Sequence, residues 1–257
     1  MIRWLARHNL FVIAVFNIAV WLLWLPTFLS VAHQVPLGII SGLLILYLSF
    51  RLADYFRHLM RRKAAETYHY DCNPHPMEVV AREQLAYVRF VSARIVLQID
   101  LSTALNAMGR YDEAKQTLQT INIERPLLSP HTKIGYYNNL AVSCMGMDEF
   151  DCVPELLQKE KALLSRSREN EMTRNRMWAH FHLVSARFYT CRKEYGEALF
   201  HLDMVDIHAM SLPGAVAENA LRARVLVETN RSVEAEPYLE FVLQNGDWLH
   251  AAEKSDA

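Results

Sequence analysis

The sequence predicts an all-α protein: a transmembrane helical hairpin near the N-terminus, followed by an α-solenoid of antiparallel helix pairs. Three observations predict it. No Lys, Arg, Asp or Glu occurs in the 43 residues between Arg7 and Arg51. Beyond them, apolar residues recur every three to four positions and nowhere alternate with period two. Small residues and leucines also return at fixed offsets from a series of turns, the mark of a stacked repeat.

Wound as a single helix at about 1.5 Å per residue, the uncharged run would be about 65 Å long, twice the ~30 Å of a bilayer core. It therefore divides into two spans, about residues 10–31 and 36–53. The break falls between Pro26 and Pro36, where Ser30, His33 and Gln34 add polarity, and Trp21, Trp24 and Tyr47 suit the interfacial belts. Arg3 and Arg7 precede the first span; Arg51, Arg57, Arg61, Arg62 and Lys63 follow the second; the turn between carries no basic residue. The positive-inside rule then expects both termini, and everything after residue 63, in the cytoplasm. Ser30-Val31-Ala32 mimics a processing site, but the apolar run exceeds the ~7–15 residues of a signal peptide. Gly38 and Gly42 make a G-x-x-x-G in the second span, suited to close packing within the hairpin or in a homodimer.

The near-zero net charge hides an asymmetry. Residues 1–63 hold seven Lys/Arg against one acid, Asp54, and the rest of the chain holds twenty against twenty-seven. An acidic bulk argues against nucleic acid as a partner. The four cysteines, Cys72, Cys144, Cys152 and Cys191, form no C-x-x-C pair and read as free, mostly buried thiols.

At the junction His69–Pro74, Asn73 and Pro74 suit a helix start near His75. His69, Cys72 and His75 lack the spacing of a zinc site and read as a capped linker. Breaks at Gly109, Pro126 to Pro130, Gly146, Gly196, Pro213-Gly214 and Gly246 then leave helices at roughly 75–89, 91–108, 111–123, 130–146, 150–167, 171–192, 195–208, 214–229 and 232–245. The domains expected are 1–63 as anchor, 64–90 as linker and leading helix, 91–245 as the repeat and 246–257 as a tail.

The repeat shows when the pairs are superimposed on their turn positions Tyr111, Phe150, Tyr195 and Ser232. Three residues later stand Ala114, Val153, Ala198 and Ala235, and four beyond those Leu118, Leu157, Leu202 and Leu239. Nine before each turn position come Ser102, Ala141, Ala186 and Ala223. Small residues on facing helices let backbones approach, and the later Leu fills the seam between neighbours. Gly109-Arg110-Tyr111-Asp112-Glu113-Ala114 and Tyr195-Gly196-Glu197-Ala198 carry the clearest resemblance to the tetratricopeptide repeat. Intervals between turn positions are 39, 45 and 37 against about 34 in that family, and the family's Trp and terminal Pro are missing. The anchor and the Asp71-Cys72-Asn73-Pro74 junction also resemble uncharacterised bacterial proteins of this design.

No residue pattern suggests catalysis, a cofactor or a metal. The eight glycines form no phosphate-binding or nucleophile-elbow motif, and there is no H-E-x-x-H. His180 and His182 point to different sides of one helix, and His201 and His208 lie two turns apart. Asp112-Glu113 and Asp148-Glu149 read as helix starts that complement the macrodipole. What the resemblance implies is a groove lined by the first helix of each pair, where the place after the small-residue column holds Thr103, Val142, Arg187 and Arg224. Arg187 and Arg224, with His180, are then expected to hold an acidic or carboxylate-bearing segment, and Asn138 and Asn139 to bond its backbone. The function expected is a membrane-anchored scaffold or adaptor, not an enzyme, that binds a protein or peptide. The alternative is a non-catalytic subunit or regulator of a membrane-bound enzyme or signalling complex.

Overall fold

The structure, a computed structural model, describes residues 35–126 and 128–250 and divides the chain into two compact units, Met1–Ala64 and Ala65–Ala257. Its described residues contain helices and no strand. Helix α1 (Val35–Asp71) is longer than the sequence suggests, because residue 64 onward was expected to be a linker. Residues 54–71 contain neither Gly nor Pro, and Ala64, Ala65 and Glu66 favour helix, so nothing stops it before Cys72, which turns left-handed at φ 53° ahead of Pro74.

In the first unit, Leu44, Tyr47, Leu48, Tyr55 and Leu59 of α1 are exposed, at spacings that share one helix face. Among the described residues no helix is long and apolar enough to cross a membrane. The first expected span, the turn after it, most side chains of the second and the surroundings of Gly38 and Gly42 lie outside the described residues.

The second unit is a helical-repeat domain, compatible with a tetratricopeptide-like solenoid. A leading helix, α2 (His75–Leu85), packs on the first pair, α3 (Val91–Ala107) and α4 (Tyr111–Gln119). Then follow α5 (Pro130–Gly146) with α6 (Val153–Leu164), α7 (Glu171–Cys191) with α8 (Tyr195–Asp203), and α9 (Leu212–Glu228) with α10 (Ser232–Asn245). The helix starts are written locally. Asn73 Oδ1 accepts from His75 N–H at 3.1 Å, Ser129 Oγ from Thr132 N–H at 3.1 Å, and Asn170 Oδ1 from Thr173 N–H at 2.9 Å.

The four turns within pairs share one backbone geometry. Gly109, Asp148, Lys193 and Asn230, each two places before its turn position, are left-handed with φ of 73°, 60°, 61° and 58°. The next N–H in each case closes a six-residue loop: Arg110 to Leu105 O at 2.9 Å, Glu149 to Cys144 O at 2.9 Å, Glu194 to Tyr189 O at 2.9 Å, and Arg231 to Leu226 O at 2.8 Å. This is the Schellman closure, which satisfies carbonyls left over at a helix end. Only the first turn spends a glycine on it.

Ser102, Ala141, Ala186 and Ala223, and opposite them Ala114, Val153, Ala198 and Ala235, all have 0% exposure. Leu118 and Leu202 are fully buried behind them, while Leu157 and Leu239 pack against the core from its edge. Three of the second helices are shorter than the periodicity suggests, while α10 has the expected bounds, 232–245. α4 stops at Gln119, where Ile121 N–H bonds Leu118 O at 2.9 Å and tightens the last turn. α6 begins at Val153 with Pro154 in its first turn, so Asp148 and Glu149 belong to the turn and not to a helix start. α8 ends at Asp203, and Asp206 Oδ1 then accepts from His208 N–H at 3.1 Å to form a short 3-10 turn, Ile207–Ala209.

Candidate functional site

One surface of the second unit centres on α7. Arg176, His180 and Arg187 follow one another at i, i+4 and i+11, a single helix face. Arg187 is half-buried. Its Nη2 donates to Tyr111 Oη at 3.1 Å, and its guanidinium lies 5.4 Å from that ring's centroid. Tyr111 belongs to the first pair and reaches α7 by crossing α5 at Gly146, where a Cβ would come within 2.2 Å of the ring. The bare backbone of Gly146 is therefore the passage that lets the first and third pairs touch.

Segments on either side of the helical stack, around His69 and around His250, lie against this surface. The His250 ring meets Tyr111 edge-on at 5.9 Å and presses on Gly109, where a Cβ would lie 2.6 Å from it. Trp248 meets His75 edge-on at 6.1 Å. Leu249 is buried with Cys72, Val216 and Val242, and Tyr68 and Ala107 pack against that cluster. His69 lies close enough to His180 and Arg176 for their charges to interact, with Asp100 facing His69. Burial pushes His180 down to about 4, and the Arg176 and His69 charges add to this; the same causes, burial first and then Arg176, lower His69. The two imidazoles are thus held toward the neutral form, beside an exposed Arg176 whose Nε donates to Ala209 O at 3.2 Å.

Of the residues expected on the groove, Arg187 and His180 share the α7 face. Arg224 is exposed on α9, near Tyr195, whose hydroxyl donates to Glu228 at 3.2 Å. Asn138 and Asn139 are turned into the stack. Asn138 Nδ2 donates to Glu160 Oε1 at 3.2 Å, and Asn139 Nδ2 to Gly135 O at 2.8 Å, while Asn139's own carbonyl accepts from Asn106 at 3.0 Å. Their amides satisfy the packing of α5 against its neighbours. Arg176 escaped the sequence reading, although its place four residues before His180 was visible.

Other polar groupings lie elsewhere in the second unit. Glu160 has 0% exposure and stands seven places after Val153, where the other pairs hold Ile121, Val205 and Val242. Burial pushes its carboxyl up to about 8; Asn138 opposes this at Oε1, and Oε2 has no hydrogen-bond partner. His182, on the other side of α7, meets His201 of α8 with 2.9 Å between Nδ1 atoms, inside a collar of Trp178, Phe181, Tyr189 and Phe200. Burial lowers both imidazoles. A cleft of about 170 Å³ between α8, α9 and α10 is lined by Leu199, Asp203, Arg222, Leu226, Arg231, Glu234 and Tyr238. Its charges pair internally, Arg222 with Asp203 at 2.8 Å and Arg231 with Glu234 at 2.6 Å. That volume is below the ~300 Å³ at which small-molecule sites usually begin.

No protein-family model, no curated protein and no solved structure matches this chain.

Proposed function

We propose that the chain is a membrane-anchored, tetratricopeptide-like adaptor whose helical domain, on the cytoplasmic side, holds an acidic segment of a partner protein. The observation that carries the reading is the Arg176–His180–Arg187 face of α7, with Arg224 exposed on the next pair. Arg176 and Arg187 share one helix face, and the half-buried guanidinium of Arg187, packed on Tyr111, attracts a carboxylate more strongly than a fully solvated charge does. His180, held down to about 4, offers a neutral hydrogen-bonding ring. The uncharged run of 43 residues with basic flanks supports the anchor, and the exposed face of α1, where Leu44, Tyr47, Leu48, Tyr55 and Leu59 stand with Arg51 and His58, suits the end of a span at the membrane–water boundary. Because His250 lies on Tyr111 beside Arg187, a partner entering there displaces the chain's own C-terminal segment.

The test uses the full chain in membranes. Reversing Arg176, Arg187 and Arg224 to Glu abolishes association with the partner while circular dichroism stays helical, and added salt weakens the wild type more than the variant. Association that survives the reversal moves the binding surface elsewhere. A reporter active only outside the membrane, fused after Ala257, is silent in this topology; strong activity refutes the orientation.

A further inference from the structure

The α5–α6 turn brings together two thiols that are eight residues apart in sequence. The Cys144 and Cys152 sulfurs and a Glu149 carboxylate oxygen all lie within 4.8 Å of one another. Cys144 sits in the core at 2% exposure, packed with Leu118, Tyr137 and Val184, whereas Cys152 is exposed at the N-terminal end of α6. Cys152 Sγ contacts Glu149 O at 3.5 Å. Lys115, from α4, pairs with the Glu149 carboxylate and lies near enough to both sulfurs to interact with them electrostatically. We propose that Cys144 and Cys152 form a reversible disulfide, with Cys152 as the attacking thiol and Cys144 as the resolving one.

The division of labour follows from access and charge. An oxidant reaches Cys152 and not Cys144, whose thiol burial also pushes up in pKa, with Cys152 adding to the shift. Negative charge developing on the Cys152 sulfur lies at the positive end of the α6 backbone, and the nearby Glu149 carboxylate that would oppose it is neutralised by its pairing with Lys115, which also interacts with the sulfur. With a hydroperoxide as oxidant, the Cys152 sulfur attacks the terminal oxygen. An S–O bond forms, the O–O bond breaks, and the alcohol or water leaves with the thiol's proton, giving a sulfenic acid. The Cys144 sulfur then attacks the Cys152 sulfur. The S–S bond forms, the S–O bond breaks, and hydroxide leaves as water with the Cys144 proton. Two electrons pass from the thiol pair to the peroxide, and a dithiol reductant reverses the step.

A metal ion is the poorer occupant. Three protein donors fall short of the four of a structural zinc site, one of them is held by Lys115, and an adjacent ammonium repels a dication. The crosslink would fix the turn that carries Gly146, the crossing point of Tyr111, so oxidation is placed to influence the α7 surface.

The test treats the purified full chain in detergent with hydrogen peroxide, removes the peroxide, unfolds the protein in denaturant so that the buried Cys72 and Cys144 are reached, caps the remaining thiols with an alkylating reagent and reads tryptic masses. The peptide from Ile134 to Lys159 carries both cysteines. It is expected to lose two hydrogens and take no label, leaving two of the four thiols alkylatable, and dithiothreitol restores the other two. Cys152→Ser leaves Cys144 a free thiol under the same treatment, and Cys144→Ser lets Cys152 proceed to a sulfinic acid. Wild-type protein that accumulates a sulfinic acid at Cys152 with Cys144 still free overturns the proposal. So does zinc bound to the isolated chain that shields both thiols from peroxide.

Discussion

Glu160 gives the sharpest test of how this stack is built. Its carboxyl occupies a position that the other three pairs fill with Ile121, Val205 and Val242, and in the fold it is held at about 8 against an ordinary 4.5. Between those values the folded state keeps a proton that the unfolded chain has released. Stability from this group is therefore fully present below about 4.5 and is lost as pH rises toward 8. The slope approaches about 1.4 kcal/mol per pH unit, so between about pH 5 and pH 8 the loss is about 3–4 kcal/mol. Replacing Glu160 by Leu removes the titration and frees the Asn138 amide, at a cost of about 1 kcal/mol. The variant should be less pH-sensitive throughout and more stable than wild type by about 2–3 kcal/mol near pH 8. Urea unfolding followed by circular dichroism at several pH values measures both curves, and histidines common to the two proteins cancel in the difference. Parallel curves across this interval refute the argument and imply that Glu160 is already ionised, or reached by water, in the fold.

Other perturbations test separate parts of the design. On the acid side, His180 is held down to about 4, so stability is lost as pH falls through the ordinary imidazole range, and His180→Gln should flatten that limb of the unfolding curve. Lys193→Gly should stabilise the domain by about 0.5–1 kcal/mol, because Lys193 sits at φ 61° in a turn whose first-pair counterpart is already glycine. Gly109→Ala should cost more than about 1 kcal/mol, having both a φ of 73° and His250 at 2.6 Å against it. Ala186→Trp should lower the melting temperature through an overpacking cost of about 1–3 kcal/mol or more, since Ala186 has 0% exposure between Ala198, Leu202 and Val225. An unchanged melting temperature would remove Ala186 from the seam.

The helices of the second unit and their succession in pairs could be read from the linear chain, apart from some helix ends, those of α4, α6 and α8 among them. Helix boundaries rest on local events that need no distant partner, such as Ser129 and Asn170 capping their own first turns. The seam was legible for a related reason. A small residue must sit wherever two backbones approach, so Ala141, Ala186 and Ala223 recur with the turns. Turn chemistry was less legible. Asp148, Lys193 and Asn230 adopt the conformation of Gly109 without its sequence signal, because the Schellman bonds fix the backbone whichever residue occupies it.

Contacts between elements depend on where each side chain points and emerge only once the helices are packed. Within α7, His180 and His182 do face opposite ways, but the partner that matters to His182 is His201 on α8. The place of Asn138 and Asn139 on a first helix suggests groove donors, yet Asn138 donates to the buried Glu160 of α6 and Asn139 to Gly135 O one turn back on its own helix. Cys152, expected among buried thiols, is exposed because α6 starts later than periodicity indicates and leaves Cys152 on the turn. The reach of Tyr111 to Arg187 depends on the missing side chain of Gly146, and a glycine near a helix end reads in sequence as a stop. Periodicity records which face of a helix is buried; it carries no record of which distant residue that face will meet, because that is set by the combined geometry of every helix between them.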